Sequence, residues 1–237
     1  MEEKSLEHSD LWTVQRARPV DELQLALDSV LGYFHLLGKL KTTKREGWRR
    51  HGIDHGESIA DHCHRMAMMA MLAPQNLDLQ KCLNMSLIHD VAESIVGDIT
   101  PMDAVSKTEK NRREALTMNH FRDTLGPAGA LLWDWWQEFE AGETPESKFV
   151  QDLDKIELLL QMVEYEKEGK CKTDLGSFAG AATKIKTPEC KAWATEILKA
   201  REGIWGDKEH VRGELGEEGG ISKEFKKQQD DYYSETR

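Results

Sequence analysis

The sequence has few cysteines, no long apolar run and no excess of positive charge, and each shortage removes a class of protein. Its four cysteines, Cys63, Cys82, Cys171 and Cys190, show neither a C-x-x-C spacing nor the density of a disulfide framework. They read as reduced thiols of an intracellular protein. The longest apolar stretch, Met66 to Ala73, falls far short of the roughly 20 residues that span a bilayer. The opening Met-Glu-Glu-Lys-Ser is acidic and carries no apolar signal region. No membrane partner is expected, and the expected location is cytoplasmic, with the nucleus as a second compartment. Lys and Arg number 32 against 43 Asp and Glu, a formal charge of −11, so the surface field repels a polyanion. That excludes large nucleic acid as a partner. It leaves room for a small anionic ligand held by a few local cations.

Period-two alternation bounded by turn signals is missing as well, which removes the sheet classes and leaves an all-α fold. Residues 1–20 have mixed charge and no sustained period, and read as a flexible arm. A domain is expected over 21–205. Its first helix starts at Asp21, with Leu23, Leu27, Val30, Leu31, Phe34 and Leu37 on one stripe and Gly38 as the stop. Lys39 to Gly56 is polar and glycine-interrupted, a loop. Ser58 is placed to cap a helix reaching Ala73, where Pro74 ends it. Further helices are predicted over Leu79–Glu93, Ser106–Leu125, Pro127–Ala141, Lys148–Glu168 and Pro188–Arg201. Residues 206–237 are rich in glycine and charge and too poor in apolar groups to offset the entropy of ordering, so a disordered charged tail is expected.

What the chain does contain is a spaced set of histidines and carboxylates. Glu57-Ser58-Ile59-Ala60-Asp61-His62 falls on one expected helix and His89-Asp90-Val91-Ala92-Glu93 on the next. An antiparallel pair of those helices brings His62 alongside His89. Two imidazoles and an adjacent carboxylate form a mixed N/O donor set suited to a borderline or hard divalent cation. A distant aspartate would close the set. On a continuous helix Glu93 lies on the same face as His89 and Asp90, one turn further on. Hydrolysis needs that arrangement: donors that fix an ion and acidify its water, and a carboxylate outside the donor set to move protons. A His-Asp pair alone is common by chance, and a lone helical histidine is more often a surface or hydrogen-bonded core residue. The full spacing carries the reading.

The runs ESIADHCHRMAMMA, LIHDVAESIVGDITP and FVQDLDKIELLLQMVEYE, in that order, resemble those of the HD-domain 5'-deoxynucleotidases, a branch of the HD hydrolase superfamily. The resemblance covers roughly Leu23 to Arg201. It implies an HD-domain helical bundle, commonly homodimeric, with one divalent metal ion held by His62, His89, Asp90 and Asp154. Asp152 competes for the last place, because both aspartates flank the apolar stripe of their helix. Glu93 matches the family's catalytic glutamate. Asp98 matches an aspartate near the substrate, with catalytic and substrate-binding roles; its bland reading is a turn or helix-cap carboxylate. Lys44-Arg45-Glu46-Gly47-Trp48 resembles an Arg-x-Gly-Trp segment whose arginine and tryptophan face the nucleotide. A guanidinium suits a phosphate and an indole suits a base or sugar face, with Arg49 and Arg50 as alternatives to Arg45.

Other residues read as structural. Arg65 is expected to pair with Asp61 within its helix, and Glu157 to be a buried hydrogen-bonding group. Met66, Met68, Met69 and Met71 are expected to fill the core, and Trp133, Trp135 and Trp136 to serve packing or a subunit contact. The function implied by the resemblance is metal-dependent hydrolysis of deoxynucleoside 5'-monophosphates, a small nucleotide being the partner. Mn, Co, Fe, Zn and Mg all suit such donors. One rival is another HD phosphohydrolase, acting on a cyclic nucleotide, a nucleoside triphosphate or an alarmone. The other is a non-catalytic HD nucleotide-binding module, against which the presence of Glu93 and Asp98 speaks.

Overall fold

The computed structural model describes residues 11–17, 28–171 and 175–205. The expected tail over 206–237 and most of the expected arm lie outside the described residues, as do Leu23 and Leu27. The described helices are α1 (Val14–Ala17), α2 (Val30–Leu40), α3 (Glu46–Arg50), α4 (Ile59–Ala70), α5 (Leu79–Ile88), α6 (Glu93–Val96), α7 (Lys107–Leu125), α8 (Pro127–Ala141), α9 (Pro145–Glu168) and α10 (Pro188–Trp205). A 3-10 segment, Gly176–Lys184, precedes α10. Among the described residues the extended pairing is a single antiparallel bridge between Lys44 and Ser58, and no helix is long and apolar enough to cross a membrane. The fold is all-α, as expected.

The start of α4 follows from its sequence. Ser58 Oγ accepts from Asp61 N at 3.2 Å, while the Asp61 carboxylate accepts from Ser58 N at 2.8 Å, so two orphan donors of the first turn satisfy each other's side chains. Helical spacing then turns Ile59, His62, Cys63, Met66 and Ala70 to the inside. His62 is therefore buried on the inner face of α4. The longest helix, α9, is capped by Thr144 with Pro145 in its first turn and ends at Gly169, whose φ of 65° is the left-handed stop glycine adopts most easily.

Two apolar clusters hold the bundle. One joins Met66, Met85, Phe149, Leu153, Ile156, Leu159 and Met162 from α4, α5 and α9. The other joins Leu36, Ile59, Val91, Met118, Phe121 and Trp136 around α2, α7 and α8. Residues of α4, α5 and α8 contribute to both, which sets the functional groups of α4 and of the end of α5 at the seam.

Three departures from expectation matter. The helix after Leu79 stops at Ile88, because the amides of Val91, Glu93 and Ser94 bond to carbonyls three residues back (Ile88, Asp90 and Val91) instead of four. The expected polar loop contains α3, and the 3-10 segment had no clear sequence signal. Met66 is buried, but Met68 and Met71 are 55% and 56% exposed, so only part of that methionine run fills the core.

Candidate metal centre

His62 and His89 come from different helices and face each other. His62 is fully buried on α4, and His89 caps the C-terminal end of α5 with its ring 4.9 Å from that of Phe139. Their Nε2 atoms lie 3.3 Å apart. Asp154 Oδ1 from α9 is 3.3 Å from His62 Nε2, and Asp90 Oδ2 is 3.7 Å from His62 Nε2 and 3.3 Å from His89 Nε2. The outer nitrogens are engaged elsewhere: His62 Nδ1 with Glu157 Oε2 at 2.7 Å, and His89 Nδ1 with the Ser86 carbonyl at 3.1 Å. Donors about 2.1 Å from a common ion at open angles would be separated by roughly 3.4 Å. The spacing and the N/O chemistry therefore fit a divalent cation.

Charges around this point are strongly coupled. Burial and Arg45 oppose protonation of His62, but hydrogen bonds to Asp154 and Glu157 outweigh them and lift it to about 9. Burial lowers His89. Asp90 is held below the usual carboxylate range because His89, Arg45 and His62 overcome its burial. Asp154 is held low too, since its contact with His62 overcomes burial. A cation would replace the charge that a protonated His62 supplies.

Asp152, the competitor of Asp154, is occupied by structure. It is buried, and its Oδ2 accepts from Lys186 N at 2.8 Å, Thr187 N at 2.7 Å and Thr187 Oγ1 at 2.9 Å, tying the start of α10 to α9. The two aspartates sit about 200° apart around the helix, so they serve opposite sides of α9.

Glu93 begins α6 and is not on one continuous helix with His89, contrary to the sequence reading. The tight turn through Asp90 to Ala92 nevertheless keeps it next to the donors, 2% exposed. Burial, then the charges of Asp90 and Asp98, push its carboxyl well above the usual range. Its Oε1 faces Lys110 Nζ at 3.7 Å, whereas its buried Oε2 has no hydrogen-bond partner among the described residues. Such a carboxyl holds a proton readily and has an oxygen free to pass it on.

The loop over 44–50 behaves differently from its expectation in part. Arg45 Nη1 lies 3.1 Å from Asp90 Oδ2, directly beside the donors. Trp48 is 1% exposed. Its ring packs edge-on to Tyr165 and against Phe178, and its Nε1 donates to Glu57 Oε1 at 2.8 Å. The indole is thereby anchored to the core beside the Arg45 loop. Glu57 is lifted to about 7 by burial and by the nearby Glu157 charge. Asp98 Oδ2 accepts from Glu46 N at 2.6 Å, fastening the start of α3 to the segment after α6. It is the helix-end carboxylate of the bland reading, and it also helps to place Arg45. Arg50 pairs with Asp103 at 2.6 Å and Arg49 with Glu46 at 2.7 Å, which leaves Arg45 as the cation of this loop facing the donor cluster.

Sequence reasoning missed Lys110. It stands between Glu93 and Glu114, 3.5 Å from the latter, but in the sequence it looks like one member of a solvated ion pair at four-residue spacing. Lys110→Met leaves two buried carboxyls without their cation, so stability is expected to fall by about 2 kcal/mol in urea unfolding. An unchanged midpoint would show that both carboxyls are already neutral in the folded protein.

A helical bundle that gathers His62, His89 and Asp90, with Asp154 against His62 and a proton-holding acid and an arginine beside them, defines an all-α protein with a candidate divalent-metal centre. The chain belongs to the HD-domain family, whose model matches residues 37–193. It is similar to the 5'-deoxynucleotidase hdd1 of Schizosaccharomyces pombe, 42% identical over 75% of this chain and 92% of that one. It is similar also to the human 5'-deoxynucleotidase HDDC2, 38% identical over 73% of this chain and 86% of that one. Among solved structures, the HD domain-containing protein YGK1 aligns with a TM-score of 0.62 and 30% identity over 81% of this chain and 98% of that one.

Proposed function

We propose that the protein is a 5'-deoxynucleotidase, a metal-dependent phosphomonoesterase that converts deoxynucleoside 5'-monophosphates to deoxynucleosides and phosphate. The observation that carries this reading is the convergence of His62, His89, Asp90 and Asp154 beside a buried, proton-holding Glu93. Two similar proteins named 5'-deoxynucleotidase support the choice of substrate. The working domain spans 21–205, and a cytoplasmic homodimer belongs to the same proposal.

His62, His89, Asp90 and Asp154 would hold the ion, and Mn, Co, Fe, Zn and Mg all suit their N/O donors. When bound, a divalent ion supplies charge for the phosphate and an acidified water. The chain's own groups supply the rest. Hydrolysis forms one bond from water oxygen to phosphorus and breaks the bond from phosphorus to O5', so one proton must reach the departing oxygen. Glu93, buried and with Oε2 unengaged, is the group that handles it. Arg45, 3.1 Å from Asp90, is placed to turn its guanidinium to a phosphate oxygen. Asp98, which holds the Arg45 loop, would lie at the sugar and phosphate side, and Trp48, kept on the core through Glu57, would face the nucleotide from the same loop.

The test is a phosphate-release panel of ribo- and deoxyribonucleoside monophosphates and triphosphates with each metal in turn. Deoxynucleoside 5'-monophosphates are expected to release phosphate, to stop on chelation and to resume when metal is restored. Release of tripolyphosphate from a triphosphate with higher efficiency would instead select the triphosphohydrolase reading. Binding without release of either product would select the non-catalytic module.

A further inference from the structure

A histidine that serves a metal must present a bare ring nitrogen, and something must decide which nitrogen that is. For His62 the deciding contact lies on the side away from the donor cluster. Nδ1 is 2.7 Å from Glu157 Oε2, and both side chains are fully buried. An ionised carboxylate can only accept a hydrogen bond, and Glu157 is the nearer one, 2.7 Å from Nδ1 against 3.3 Å from Nε2 to Asp154, so a neutral His62 carries its proton on Nδ1 and turns a lone pair at Nε2 toward His89, Asp90 and Asp154.

Glu157 itself needs compensation for its burial, and Arg65 provides it. The Arg65 side chain was expected to pair with Asp61 on its own helix, but Asp61 is committed to the Ser58 cap. The guanidinium crosses to α9 instead: Nε donates to Glu157 Oε1 at 2.7 Å, Nη2 to Gln161 Oε1 at 2.8 Å and Nη1 to Glu164 Oε2 at 2.7 Å. Residues 157, 161 and 164 recur at the four- and three-residue steps of one helix face. They form a row of acceptors that engages one cation along its planar fork. A chain of hydrogen bonds thus runs from the exposed Glu164 through Arg65 and Glu157 to the ring of His62.

We infer that Glu157, held by Arg65, is a positioning residue that fixes His62 in the Nδ1-protonated form with Nε2 aimed into the donor cluster. This rests on reading that cluster as a metal centre and is independent of which phosphate ester is cleaved. The competing interpretation is a clasp between α4 and α9 that contributes stability and nothing to the ring.

Two measurements on the full chain separate these interpretations. Long-range 15N correlation spectra of the metal-free protein, at a pH where the His62 ring is neutral, report which ring nitrogen bears the proton. Calorimetric titration with Zn2+ reports affinity. Wild type is expected to show the Nδ1-protonated ring. Glu157→Gln is expected to lose that preference, since its amide can donate to Nδ1, and to bind Zn2+ about 10- to 100-fold more weakly. Arg65→Met, which frees Glu157 without removing it, should shift affinity in the same direction by less, and provides the reading if Glu157→Gln does not fold. Glu164→Ala, at the exposed end, should change neither. A wild-type tautomer and wild-type Zn2+ affinity in Glu157→Gln, or in Arg65→Met alone, would reduce the contact to a clasp and overturn the inference. An Nε2-protonated ring in wild type would do the same. If wild type holds the tautomer and binds Zn2+ yet releases no phosphate, the nucleotidase reading fails and the positioning role stands.

Discussion

Replacing Glu93 by Ala is expected to lower turnover by about 100-fold or more with metal still bound. The separation arises because Glu93 is no member of the donor set: it stands at the start of α6, after the tight turn that carries Asp90. Its burial and its unengaged Oε2 fit it to proton transfer. Metal content by elemental analysis, measured beside phosphate release, tests both halves of the expectation. Wild-type turnover in Glu93→Ala would pass the proton-transfer role to another group, and loss of the metal would place Glu93 among the donors.

The second large effect is a contrast between two aspartates two residues apart. Asp154→Ala is expected to abolish metal binding and activity with little change in unfolding midpoint, because its carboxylate faces the donor cluster at the seam. Asp152→Ala is expected to do the reverse. It strips the acceptor from two backbone amides and a hydroxyl at the start of α10; because these donors are only partly buried, the stability loss is about 1–3 kcal/mol in all, while metal remains. Elemental analysis and denaturant unfolding of both variants decide the assignment. Full metal in Asp154→Ala together with its loss in Asp152→Ala would exchange their roles.

The helices whose signals are local were legible from the chain. Ser58, Ser106 and Pro127 mark the starts of α4, α7 and α8 where the structure has them, since a cap is a matter of a few neighbouring atoms. Local reading failed where a later contact intervened. Nothing near Arg45 announces α3, whose first amide is held by Asp98, fifty-two residues away. Arg65 has an acid four residues before it, yet its partners are on α9. Trp48 sits in a loop-like sequence, and only the arrival of Tyr165 and Phe178 makes its position a core one.

By itself the sequence determined the all-α class and the residue types of a mixed imidazole and carboxylate site; the burial of His62 on the inner face of α4 came with the structure. Class and residue types follow from period, capping and donor chemistry, which act over one or two turns. Only the tertiary structure decided which aspartate of α9 meets His62, which nitrogen of His62 turns inward, and that Lys110 stands beside Glu93. The physical reason is the same in each case. Helical periodicity states which residues share a face, but two side chains on opposite faces acquire their roles only when another helix packs against one of them and not the other.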